Sequence, residues 1–63
     1  MITFYDLLNI IDLDCELEVF NIFGDLLQDG HRGSTMWDDN LLDIRIHKVI
    51  PGIVTKIFLD TEH

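Results

Sequence analysis

Apolar positions change their period twice along the chain. Phe4, Leu7, Leu8 and Ile11 keep the i, i+3, i+4, i+7 spacing of one helix face. Thr3 precedes them and Asp6 follows three residues later, the residue pair of a capping box. The spacing predicts a helix over Phe4 to Ile11, with Asp12-Leu13-Asp14 as the turn out of it. From Cys15 the period falls to two. Cys15, Leu17 and Val19 alternate with Asp14, Glu16 and Glu18, the pattern of a half-buried strand. The strand is expected to continue through Phe20-Asn21-Ile22-Phe23, with a bulge exchanging its apolar face. Gly24-Asp25 reads as a hairpin turn, Leu26 to Gln28 as the start of the returning strand, and Asp29-Gly30 with Gly33 as the loop beyond it.

Thr35 and Asp38 repeat the capping-box spacing and predict a short helix from Met36 to Leu42, with Trp37 and Leu41 on one face. Tryptophan in so small a chain is expected to anchor the core. The remaining residues form a hairpin pattern around Pro51-Gly52. Pairing Ile50 with Ile53 sets Ile46 opposite Ile57 and Ile44 opposite Leu59, which gathers the isoleucines on one side. Arg45, His47, Val49, Val54, Lys56 and Phe58 then lie on the other side. Pro-Gly fits a two-residue hairpin poorly, so a longer or bulged loop is expected. The fold class predicted for residues 1–63 is α+β, a small single domain ordered α-β-β-α-β-β. Its helices are expected to pack on one face of a mainly antiparallel sheet.

Composition narrows the setting. Of 63 residues, 48% are hydrophobic, which is too many for a disordered chain. Alanine is absent while Ile and Leu supply nine residues each, which favours strands and short, capped helices. No apolar run approaches the ~18 residues of a membrane span, and no basic leader precedes one. The single cysteine, Cys15, cannot form an internal disulfide. A soluble chain in the reducing cytoplasm is the expectation.

Charge is where the sequence is most unusual. The net charge is −8, and it is concentrated: residues 1–43 hold ten acids and one base, Arg32, while residues 44–63 hold two acids and three bases. Asp14, Glu16 and Glu18 are expected to form a row on the solvent face of one strand, about 6.6 Å apart, with Asp12 extending it. Asp38, Asp39 and Asp43 form a second cluster around the short helix. Carboxylates at such spacings suit a groove built for a phosphate backbone, where affinity comes from charge neutralisation. The same charge opposes direct contact with nucleic acid or an anionic membrane. A row of acids is also the ordinary wet face of a sheet, and Arg45, His47 and Lys56 on that face would partly neutralise it.

Candidate chemistry is sparse. His31, His47, His63 and Cys15 share no metal-ligand spacing, and Ser34, Thr35 or Cys15 have no evident histidine and acid to complete a nucleophile triad. Gly30-His31-Arg32-Gly33-Ser34 lacks a phosphate-loop pattern. No catalytic residue, cofactor or metal is expected, and the chain is not expected to be an enzyme. Val49, Val54 and Phe58 oppose the isoleucine face and call for a second cover, which points to a dimer or a protein-binding surface and makes them candidate oligomer contacts.

The opening Thr3-Phe4-Tyr5-Asp6-Leu7-Leu8, followed by the acidic stretch Asp14 to Phe20, resembles small acidic proteins encoded by bacteriophages and mobile elements of low-GC Gram-positive bacteria. The resemblance covers the first third of the chain. It implies a host-takeover or anti-defence setting, in which inhibitors of this size and charge include DNA mimics and anti-CRISPR proteins. No binding residue of theirs carries over. Two functions follow as expectations. The first is a non-catalytic inhibitor of a host nucleic-acid-binding protein, with Asp12, Asp14, Glu16, Glu18, Asp38 and Asp39 occupying its basic groove. The alternative is a structural or assembly module that forms a homodimer through an apolar sheet face.

Overall fold

The capping box forms as its residue types require. The Thr3 hydroxyl accepts from the Asp6 amide at 3.2 Å, and the Asp6 carboxylate accepts from the Thr3 amide at 3.1 Å. The computed structural model describes residues 2–63. Helix α1 spans Phe4–Leu8, β1 Glu16–Phe20, β2 Leu26–His31, α2 Asp39–Leu42, β3 Ile46–Ile50 and β4 Val54–Leu59. This is the α+β order that the periodicity predicts. Helix α1 is shorter than its apolar spacing: Asn9 is the cap, and the Ile10 amide turns back to the Leu7 carbonyl at 3.1 Å. Ile11 still packs against the core from beyond the helix end.

The sheet runs β2-β1-β4-β3. Its two hairpin pairings are antiparallel, but its centre, β1 against β4, is parallel. The strands themselves show which belong in the middle. β1 and β4 hold the fully buried Leu17, Val19, Ile57 and Leu59 at alternate positions, as central strands must. β2 contains Asp29-Gly30 and β3 contains His47-Lys48, which suit edges. Phe4, Leu8 and Trp37 join those four strand residues in one buried cluster. Leu41 and Leu42 of α2, and Cys15, pack against it in part.

Trp37 is a core residue, as expected, but it precedes α2 rather than belonging to it. Its ring meets Phe4 edge-on at 5.6 Å, and its indole N–H donates to the Arg32 carbonyl at 3.1 Å. The Gln28 side chain donates to the Met36 carbonyl and accepts from the Asp38 amide. These contacts hold the stretch before α2 extended, so the helix starts at Asp39, capped by Asp38 instead of Thr35. Thr35 has another place, packed against Gly30. Gly30 has φ of 146° and no room for a side chain, which is why a glycine can stand inside β2 where a loop is expected.

The final hairpin departs most from expectation. Ile50 pairs with Lys56, Val49 with Ile57, Lys48 with Phe58 and Ile46 with Leu59, with a bulge at His47. The Pro51-Gly52 turn opens into a longer loop, and Ile53 is left 99% exposed. The bulge reverses the side-chain parity of β3. Ile46 and Val49 therefore sit on the core side, while Lys48 and Ile50 turn to the other face.

Strand β1 stops at Phe20, before the predicted end, because Asn21 builds the turn. Asn21 is buried, and its side-chain carbonyl accepts from the amides of Phe23 and Asp25, each at 2.9 Å. Its side-chain amide donates to the Asp25 carboxylate at 3.2 Å and to the His63 carbonyl at 3.0 Å. One side chain thus closes the turn and ties down the C-terminal tail. Asn21→Asp keeps the accepting oxygens, loses both donations and sets a second carboxylate beside Asp25. It should cost about 2 kcal/mol, read as a lower urea midpoint at unchanged slope. An unchanged midpoint would show that Asn21 does not hold this turn.

Candidate functional site

The pairing registers place residues in rows across the face of the sheet opposite the core. His31, Glu16 and Val54 form one row. Asp29, Glu18, Lys56 and Ile50 form the next. Leu26, Phe20, Phe58 and Lys48 form the third. None of the fully buried strand residues is on this face. Glu18, Phe20, Val54 and Phe58 are half-buried, while Leu26, Lys48, Ile50 and Lys56 are exposed. The rings of Phe20 and Phe58 stack at 4.9 Å with 18° between their planes. The Lys48 ammonium lies 4.9 Å from the Phe58 ring centre, within cation–π range.

The expected row of acids is broken up by this geometry. Glu16 and Glu18 do share one strand face. Glu18, however, stands in register between Asp29 and Lys56 and is half-buried. Asp14 lies in the turn before β1, not on the strand. Asp12, Asp14 and Glu16 are exposed and line an open groove of about 670 Å³ together with Leu13, Ile53 and His31. Cys15 also lines that groove, half-buried.

Asp38 and Asp39 are not part of that surface. The Asp38 carboxylate caps α2 by accepting from the Asn40 amide at 2.9 Å. It lines a separate groove of about 270 Å³ with Leu27, Leu41, Ile44 and His63. Asp39, the first residue of α2, is exposed beside it.

The candidate oligomer contacts also divide. Val54 and Phe58 are on the outer face as expected. Val49 pairs with the buried Ile57 and belongs to the core side, because the bulge at His47 shifts the register that placed it outside. Ile50, Leu26 and Phe20 occupy the outer face in its stead. Phe20 was legible, since it shares the parity of Glu16 and Glu18. Ile50 was not, since nothing in the sequence marks His47 as a bulge.

The cations are largely engaged elsewhere. Arg45 forms an ion pair with Asp60 at 3.5 Å. The Arg32 side chain donates to the Leu8 carbonyl at 2.6 Å. Among the described residues, no group of three or more His, Cys, Asp or Glu side chains is placed to hold a metal ion. No helix among them is long and apolar enough to cross a membrane.

No family model, no curated protein and no solved structure matches this chain.

Crowding of Asp12, Asp14 and Glu16 at one end makes the folded state repel itself there. Neutralising Asp14 and Glu16 with Asn and Gln should raise Tm at low ionic strength, and the gain should shrink at about 0.5 M salt. Thermal melts at two salt concentrations check this. A fall in Tm at low salt would mean that these carboxylates are locally paired.

Proposed function

We propose that the protein is a non-catalytic, phage-type inhibitor of the cytoplasm. It would seat its acidic end in the basic groove of a nucleic-acid-binding protein, as a stand-in for the phosphate backbone. The observation that carries this reading is the open groove edged by Asp12, Asp14 and Glu16, in a chain whose arginines are engaged with Asp60 and the Leu8 carbonyl. A cationic groove gains most from anions that have no cation of their own. Leu13 and Ile53, 64% and 99% exposed, flank the acids and add apolar contact that a phosphate backbone lacks. The turn carrying Leu13 is braced from behind, since the Gly33 amide donates to the Leu13 carbonyl at 3.0 Å. The acids are therefore displayed on a held loop and strand end, which limits the ordering entropy lost on binding.

In this reading the contact set is Asp12, Asp14 and Glu16, which share one open groove. Glu18 is half-buried in register with Lys56, and Asp38 lines a separate groove with Asp39 next to it in the chain. An affinity matrix of the wild-type protein in nuclease-treated host lysate should retain a nucleic-acid-binding protein. The purified partner should then lose its nucleic acid as the inhibitor is added. Asp14→Lys with Glu16→Lys should weaken that competition by about 100-fold or more at ~0.1 M salt. Competition equal to wild type in the doubly reversed protein would overturn the proposal.

A further inference from the structure

We propose that the outer sheet face docks on a second copy of this chain, around a two-fold axis running parallel to the strands between β1 and β4. The centre of the face, at Glu18 and Lys56, is complementary in charge to itself. Glu18 and Lys56 are register partners on the two central strands, and so are Phe20 and Phe58 one step along. An axis in the plane between two stacked sheets, parallel to the strands, lays β1 of one copy over β4 of the other. Residues at the same level then meet: Glu18 faces the second copy's Lys56, and Phe20 faces its Phe58. The four charges form a square of alternating sign, and the stacked phenyl pairs close over each other beside it. The other in-plane axis, perpendicular to the strands, would lay Glu18 on Glu18 and Lys56 on Lys56.

Packing geometry favours contacts at these same residues. Stacked sheets lie about 10 Å apart with strands crossed by roughly 30°, so the centre of each sheet makes the closest approach and the corners diverge. The centre of this face is Glu18, Phe20, Lys56 and Phe58, and three of the four are already half-buried. Alternating charges satisfy one another where a lone buried charge would be costly. A face of four short strands covers roughly 350 Å² per copy in projection. That is about 700 Å² for the pair, below the ~1,000 Å² of a stable interface, so the pairing is weak and concentration-dependent. Asp12 and Asp14 precede the strand and stay outside the pairing. The dyad brings both acidic ends to the same end of the dimer. On this dyad Glu16 comes opposite the second copy's Val54, so the dimer covers one acid of the inhibitor surface and leaves Asp12 and Asp14 clear. The pairing itself rests on Glu18 and Lys56, and its test involves no other partner.

Sedimentation velocity from about 5 µM to 1 mM tests the pairing. Wild type should pass from monomer to dimer across that range, and E18K and K56E should each stay monomeric. The E18K chain presents only cations at these two positions and K56E only anions. Mixed in equal amounts, they should form a heterodimer, which repulsion within one chain could not produce. A wild type that is monomeric throughout, or folded variants that remain monomeric when mixed, would overturn the proposal. Should either variant fail to fold, a mixture of isotope-labelled and unlabelled wild type decides. Contacts between the Phe20 ring of one copy and the Phe58 ring of the other support the dimer, and their absence at millimolar concentration rejects it.

Discussion

The parallel pairing of β1 with β4 is the contact on which the rest of the molecule depends. It aligns Leu17, Val19, Ile57 and Leu59 on one side of the sheet centre, and all four are removed from water. At roughly 25 cal/mol per Å² of apolar surface, this is where a chain of 63 residues concentrates its stabilisation. Slipping either strand by one residue would turn those side chains outward and bring Glu16, Glu18 and Lys56 in. A domain this small has little stability to spare, so the register is held strongly by burial alone.

The same pairing produces the outer face. Because side chains alternate, every residue between the buried ones is sent to the other side: Glu16, Glu18 and Phe20 from β1, Val54, Lys56 and Phe58 from β4. The core is completed from one side by Phe4, Leu8 and Trp37. The opposite side carries a stacked aromatic pair and the register partners Glu18 and Lys56 at its centre, with no ion pair between those two, and acids gathered at one end. The two proposed contacts share only Glu16 on this surface: the centre suits a copy of itself, and the acidic end suits a cationic groove.

The class, the element order and most of the core were readable because they depend on local periodicity. The Thr3–Asp6 capping box, the alternation from Cys15 to Val19 and the core role of Trp37 each follow from a few neighbouring residues. What the sequence hid depends on distant partners. Gly30 is inside β2 because Thr35 packs over it, and α2 starts late because Gln28 and Trp37 hold the preceding stretch. The bulge at His47 has no local signal, and it alone moves Val49 to the core side and Ile50 to the outer face. The acidic row lost Asp14 to a turn, and the second acidic cluster gave Asp38 to a helix cap, for similar reasons. Residue type announced the charge. Only the register shows which charges are left over.

The most direct test of the whole account is the set of interstrand backbone contacts of β1 in solution, from nuclear Overhauser effects. The account requires a parallel ladder in which Glu18 adjoins Lys56, Val19 adjoins Ile57 and the Phe20 ring touches the Phe58 ring. An antiparallel ladder between these strands, or β1 lying beside β3 with β4 at the edge, would contradict it.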